Sequence, residues 1–271
     1  MLYEQCLNIA GLLIIVGAIV NFCITLRCSC RTVFGVRAVL LCFLCASGVW
    51  LVGLVNRWSS YAASTTEPWF YAFPVVTKYE TLAFVLFLVV SLTYFFTRKL
   101  LCLRSFLWLL GGFCLIFLNY LYSPNTTANF VPSLKSGWLV IHISLSFLAY
   151  AMFALAASVN GFALLTGRCE YVSRLSERLV AYGTVLFTIG GIFIGAVWAD
   201  QSWGRFWAWD PKESWAFVTW VVYSAIWHIF SADLGSYKTR SLLVVAAFGV
   251  VLFTYFGVNA LYLDSLHSYT S

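Results

Sequence analysis

Charge is what this chain has least of. Only 10% of its 271 residues are Asp, Glu, Lys or Arg, against about 25% in an ordinary soluble domain. Hydrophobic residues make up 62%. A soluble fold of this size cannot hide so much apolar side chain. The shortage excludes a cytosolic enzyme, a disordered chain and a nucleic-acid binder. Long polar gaps are also lacking. The longest are roughly 56–78 and 122–137, so no large soluble domain fits between the apolar runs. The first run follows Met1 without a basic n-region or a small-residue cleavage pattern. It reads as a retained helix with its N-terminus outside, not as a signal peptide.

What is present is a series of apolar runs of spanning length, about 20 residues each. Eight candidates lie near 6–26, 36–55, 79–97, 104–121, 138–161, 179–198, 213–230 and 241–262. Unbroken runs exclude a barrel, whose strands alternate every second residue. The expected fold is all-α and polytopic, one integral membrane domain over 1–271. Alternate connecting segments hold Arg27, Arg31, Arg37, Arg98, Lys99, Arg104, Arg168, Arg174, Arg178, Lys238 and Arg240, which are 11 of the 16 basic residues. With Glu170, Glu177 and Asp233 that side carries net +8, and the other side net −2. The basic side is expected to be cytoplasmic or stromal. Both termini and the segment 199–212 then face outward. The chain's +6 is a topology signal, not a nucleic-acid signal.

Nine cysteines are dispersed. Cys28-Ser-Cys30 sits on the reducing side. Cys42-x-x-Cys45 lies inside an apolar run without matching His or acidic ligands. Both read as small buried hydrophobes.

The densest information is in residues 198–220, WADQSWGRFWAWDPKESWAFVTW. Trp198, Trp203, Trp207, Trp209, Trp215 and Trp220 are half of the chain's twelve tryptophans. Asp200, Arg205, Asp210, Lys212 and Glu213 lie among them. An interfacial aromatic belt accounts for two or three tryptophans at a helix end, not for six with five charges. The pattern reads as an outer platform for a large flat ligand, with indole faces to stack and N–H groups to donate. Arg205 and Lys212 could meet ligand carboxylates. Gly204 allows an unusual backbone angle. Pro211 opens the next helix, with Asp210 as cap and Glu213 near its positive end.

Histidine is scarce: His142, His228 and His267 are the whole set. Ionisable residues in a membrane are costly and tend to be functional. His142 lies about four residues into its helix, roughly 6 Å below the outer surface. His267 follows the last helix on the same side. The two can flank the tryptophan segment as axial ligands to haem iron, if their helices are neighbours. His228 follows Glu213 by fifteen residues, roughly 22 Å deeper, and cannot reach that iron. It implies a second site, completed by another polypeptide or not of bis-histidine type. Three histidines at unequal depth fit an electron-transfer cytochrome poorly.

The stretch Trp203-Gly204-Arg205-Phe206-Trp207-Ala208-Trp209-Asp210-Pro211-Lys212-Glu213 resembles the WWD signature of haem-handling proteins. Its DPKE ending, continued by Ser214-Trp215-Ala216-Phe217-Val218-Thr219-Trp220, resembles the CcsA (ResC) family of cytochrome c biogenesis, system II. Gly195-Ala196-Val197-Trp198-Ala199-Asp200, Trp138-Leu139-Val140-Ile141-His142, Lys78-Tyr79-Glu80-Thr81-Leu82, Tyr255-Phe256-Gly257-Val258-Asn259 and Leu266-His267-Ser268-Tyr269 are similar to further blocks of that family. The resemblance is strong from about 138 onward. It implies haem b held as substrate at the outer face by His142 and His267. It also implies a pairing of His228 with a histidine of a CcsB (ResB)-like membrane protein. With no large soluble domain and no fourth histidine, the chain looks like the unfused form.

The implied function is haem delivery to apocytochrome c and thioether formation at its Cys-x-x-Cys-His motif, as part of a haem lyase (synthase) complex. The alternative is a haem exporter or chaperone with no direct part in ligation. No outer cysteine constellation could reduce the substrate's thiols, so thioredoxin-like partners are implied. The location is the bacterial inner membrane or, alternatively, the plastid thylakoid membrane. The expected cofactor-binding residues are His142, His228, His267, Trp198, Trp203, Trp207, Trp209, Asp210 and Trp215, with the histidines on the metal.

Overall fold

The structure is a computed structural model and describes residues 2–26, 33–63, 73–74, 77–121 and 136–261. Among the described residues the regular structure is entirely helical. The order is α1 (Leu2–Leu26), α2 (Val33–Ala63), α3 (Lys78–Phe96), α4 (Leu101–Leu121), α5 (Gly137–Thr166), α6 (Cys169–Phe187), a π-helical stretch π1 (Thr188–Ile194), α7 (Gly195–Trp203), α8 (Pro211–Ser231), α9 (Tyr237–Leu252), a second π stretch π2 (Phe253–Gly257) and α10 (Val258–Leu261). Seven helices among the described residues are long and apolar enough to cross a membrane. Each falls on one of the eight expected runs. The remaining run is α8, which has spanning length, 21 residues, but opens on Pro-Lys-Glu-Ser and is rich in tryptophan. The protein is an all-α polytopic membrane protein.

The helices gather into two compact units, Met1–Asn129 and Phe130–Ser271. In the first, α1 packs on α2 and α4, and α3 packs on α4. Lipid tails offer no hydrophobic drive to helix pairing, so close backbone contact and polar links do the work. Gly11 of α1 meets Gly112 of α4 so closely that a Cβ on either would strike the other's carbonyl oxygen. Trp108 is fully buried and its indole N–H donates to the Val90 carbonyl at 3.1 Å. Trp50 stacks on Phe87 with centroids 4.2 Å apart.

Charges that the sequence assigns only to one or the other side of the membrane lie inside this unit. Glu80 is fully buried. Its Oε1 accepts from Arg57 Nε at 3.0 Å and from the Tyr61 hydroxyl at 2.6 Å. Its Oε2 accepts from the Thr77 N–H at 3.2 Å, closing a capping box at the start of α3. At the opposite end of the helices, Arg104 is also buried and donates to Asn21 Oδ1.

The second unit is built around α5, which contacts α6, α7, α9 and π1. Ala149, Ala151, Ala156 and Ala163 are fully buried and let neighbouring backbones approach. Phe153 stacks on Tyr223 of α8 at 3.5 Å. Asn160 donates to Ser176 Oγ at 2.6 Å, and Thr219 shares a hydrogen bond with Thr254 at 2.9 Å. α6, π1 and α7 form one continuous helix of 35 residues, Cys169–Trp203. At about 1.5 Å per residue it runs near 50 Å, well beyond a hydrocarbon core of about 30 Å. The expected run 179–198 covers only its middle and end.

Candidate haem-binding site

The site grows from an irregularity in that long helix. In π1, the Gly195 N–H reaches back to the Gly190 carbonyl, five residues earlier. That oxygen has a second lone pair, and it accepts from His142 Nδ1 of α5 at 2.8 Å. A carbonyl oxygen only accepts, so Nδ1 carries a proton, and Nε2 is the nitrogen that the neutral ring would offer to a metal. This is how proteins orient a histidine for metal ligation, with one ring nitrogen donated to a fixed acceptor. The His142 ring lies nearly parallel to Trp198, 14° apart with centroids at 5.7 Å. Trp198 is buried and meets Trp203 edge to face at 4.9 Å. Gly195 lets the imidazole lie against the helix backbone.

After α7 the chain turns at Gly204, whose φ of 72° is left-handed and suits glycine. The next loop presents a second aromatic group. Trp207 and Trp209 meet edge to face at 5.9 Å, and both lie against Phe217, which stacks on Trp220. Trp209 takes a φ of 56°, an unfavourable conformation for a bulky residue, and is 69% exposed. Trp220 is tied to π1 through its indole N–H, which donates to Thr188 Oγ1 at 2.8 Å. Trp215 packs on Phe253 of π2 at 4.4 Å. Arg205 and Phe206 are exposed at the loop's tip.

The DPKE residues build the start of α8. Asp210 is buried and caps the helix, accepting from the Lys212 N–H at 3.0 Å. Glu213 reciprocates, its Oε2 accepting from the Asp210 N–H at 3.2 Å and the Ala208 N–H at 2.7 Å. Pro211 occupies the first helical turn, as expected. Trp207 Nε1 and Glu213 Oε1 are buried and have no hydrogen-bond partner among the described residues. They offer a ligand one donor and one acceptor. The cap gives a direct expectation: Asp210→Ala should destabilise the protein by about 1–2 kcal/mol, whereas Asp210→Asn, which keeps the acceptor, should stay close to wild type. Thermal unfolding in detergent checks both.

The structure thus brings His142, Trp198 and Trp203 together. It places Trp207, Trp209, Asp210 and Trp215 in the adjoining loop and the start of α8. His228 stands apart, exposed in the last turn of α8. His267, Cys28 and Cys30 lie outside the described residues. Among the described residues no three His, Cys, Asp or Glu side chains converge as a metal cluster, and the seven described cysteines are free. Thr188 and Gly190 are site-building residues that the sequence reading did not single out, and Gly195 was read only as part of a family block. The adjacent Gly190-Gly191 pair was the available signal.

A family model described as "Cytochrome C assembly protein" matches residues 75–266. The chain is 34% identical over 210 residues to Protein NrfI of Wolinella succinogenes, covering 72% of this chain and 23% of that protein. It is 33% identical over 178 residues to the cytochrome c biogenesis protein CcsA of Prochlorococcus marinus strain MIT 9312, covering 53% and 57%. Against CcsA of Guillardia theta the identity is 30% over 241 residues, covering 73% and 76%. The chain therefore spans about a quarter of the first of these relatives and just over half of the second. Its fold is similar to that of the cytochrome c haem lyase CcmF, with a TM-score of 0.69 at 19% identity, over 93% of this chain and 46% of that one. With the family match covering most of its length, including His142 and the whole tryptophan segment, this chain belongs to the cytochrome c assembly protein family, on its CcsA side.

Proposed function

We propose that the protein takes part in cytochrome c maturation by holding haem b as a substrate at the outer face of the membrane and presenting it to apocytochrome c. The observation that carries this is the hydrogen bond from His142 Nδ1 to the Gly190 carbonyl, 2.8 Å long, beside the parallel ring of Trp198. It selects the tautomer that ligates iron through Nε2 and fixes the ring's direction. The residues fit the ligand's chemistry: a neutral imidazole, a series of indole faces and cationic side chains at Arg205 and Lys212 for propionates. His267 is the second residue proposed to hold the haem. His228, exposed on α8, is the proposed half of a separate site completed by a CcsB-like partner.

The chemistry adds each substrate thiol across a haem vinyl group, S–H across C=C. The nucleophiles are the substrate's own cysteines, kept reduced by thioredoxin-like partners. The role of this chain is orientation and control of the iron. His142 would hold the haem iron, and the histidine of Cys-x-x-Cys-His would compete with it for the haem as the substrate binds.

The test is to purify the protein with and without the CcsB-like partner and record the haem spectrum and stoichiometry. His142→Gly and His267→Gly should each weaken the haem signal, and added imidazole should restore it. An unchanged spectrum in both variants removes the outer site. A variant that keeps its haem but fails to mature apocytochrome assigns the residue to attachment rather than to carriage.

A further inference from the structure

We propose that the first unit carries a binding cavity for a phosphate-bearing anion, with a membrane phospholipid headgroup as its source. The cavity has a volume of about 290 Å³ and lies where α1 ends and α3 turns into α4. Its polar lining is Asn21, Tyr94, Arg98 and Arg104. Two arginines line this space, and among the described residues no carboxylate does.

Arg104 makes this a built site rather than a surface patch. It is only 9% exposed. Burying a guanidinium is expensive unless it is held by hydrogen bonds. Asn21, which is fully buried, holds it in place by accepting from Nε at 3.2 Å. Asn21 is itself locked by its amide N–H groups, which donate to Ser105 Oγ at 2.6 Å and to the Leu101 carbonyl at 2.8 Å. The guanidinium also lies 5.8 Å from the Tyr94 ring centroid, within cation–π range. Arg98 stands in the short turn between α3 and α4 and is exposed. The pair therefore combines one fixed and one adjustable donor, a geometry suited to phosphate oxygens.

The rest of the wall is apolar, with Ile24 and Val39 among its residues. A free anion has no use for such a wall, but the glycerol and first acyl carbons of a lipid do. The cavity also opens at the basic end of the unit. On the charge-based orientation this end meets the cytoplasmic or stromal leaflet, where basic pockets between helices collect anionic headgroups. The inference does not depend on the haem reading.

The experiment is native mass spectrometry of the full chain released from detergent micelles titrated with phosphatidylglycerol or phosphatidylcholine. Phosphatidylglycerol should be retained roughly tenfold better, because both lipids carry the phosphodiester but the choline cation of phosphatidylcholine is repelled by the two arginines. Arg98→Gln should abolish most of that preference. Arg104→Gln should do the same if its melting curve shows that it folds, but Arg98, on the surface, does not carry that risk. Equal retention of the two lipids, or an undiminished preference in Arg98→Gln, overturns the proposal. A third arm adds inorganic phosphate. Displacement of phosphatidylglycerol by low millimolar phosphate keeps the anion site but overturns the lipid as its source.

Discussion

Gly195→Ala should lower the haem retained by the purified protein roughly tenfold, the usual scale for disturbing the support of a metal ligand. It should do so without lowering its melting temperature. A Cβ at this position would stand 2.8 Å from His142 Cε1 and 2.9 Å from Nδ1. Either the ring or the helix must give way, and the ring is the freer of the two. A ring that turns aside loses the bond to the Gly190 carbonyl and its alignment with Trp198. Alanine meanwhile favours a helix over glycine by about 1 kcal/mol. Haem absorbance per protein and thermal unfolding, measured side by side, separate the two effects. Wild-type absorbance in Gly195→Ala would show that His142 is not held for ligation in the way proposed.

The largest loss of stability should come from Glu80→Ala, about 3–5 kcal/mol. The carboxylate is fully buried and serves Arg57, Tyr61 and the Thr77 backbone at once. Its removal leaves a guanidinium 16% exposed with its carboxylate gone, a buried hydroxyl without its acceptor, and α3 without half of its capping box. The double variant Arg57→Met, Glu80→Leu should be less damaged than Glu80→Ala, because it removes the stranded charge as well. Unfolding in detergent of both variants checks this. A double variant at least as unstable as Glu80→Ala would mean that the charge pair is not the source of the loss.

The helices were legible because a spanning run must be apolar over its whole length, whatever its neighbours. The start of α8 was legible because Asp-Pro-x-Glu encodes a cap, a first turn and a reciprocal acceptor in consecutive residues. The Thr77-x-x-Glu80 box at α3 carried the same kind of signal but was read only as charge and as part of a family block, not as a cap. Arg104 was counted by number as a charge on one side of the membrane, and Arg57 and Glu80 fall within the net −2 of the other. Their pairing depends on which helices become neighbours, and apolar periodicity says little about that when every face is apolar. His142 could be named a ligand candidate from its rarity and depth. What orients it could not, since Gly190 is 48 positions away and acts through its backbone oxygen, which no side-chain pattern records.

The π stretch between α6 and α7 also gives the helix slack. A π turn closes on the fifth residue back, so it accommodates a residue that an α-helix of the same rise would not hold. Taking out one residue between Thr188 and Ile194 would let the ladder relax to an α-helix. Everything after it would keep its place, with Trp198 and Trp203 still on the side on which His142 stands. The same deletion from a regular α-helical turn of α6 or α7 would swing them by about 100° around the axis. The π stretch is thus the one turn of this long helix that can lose a residue without turning the aromatic platform away from the imidazole.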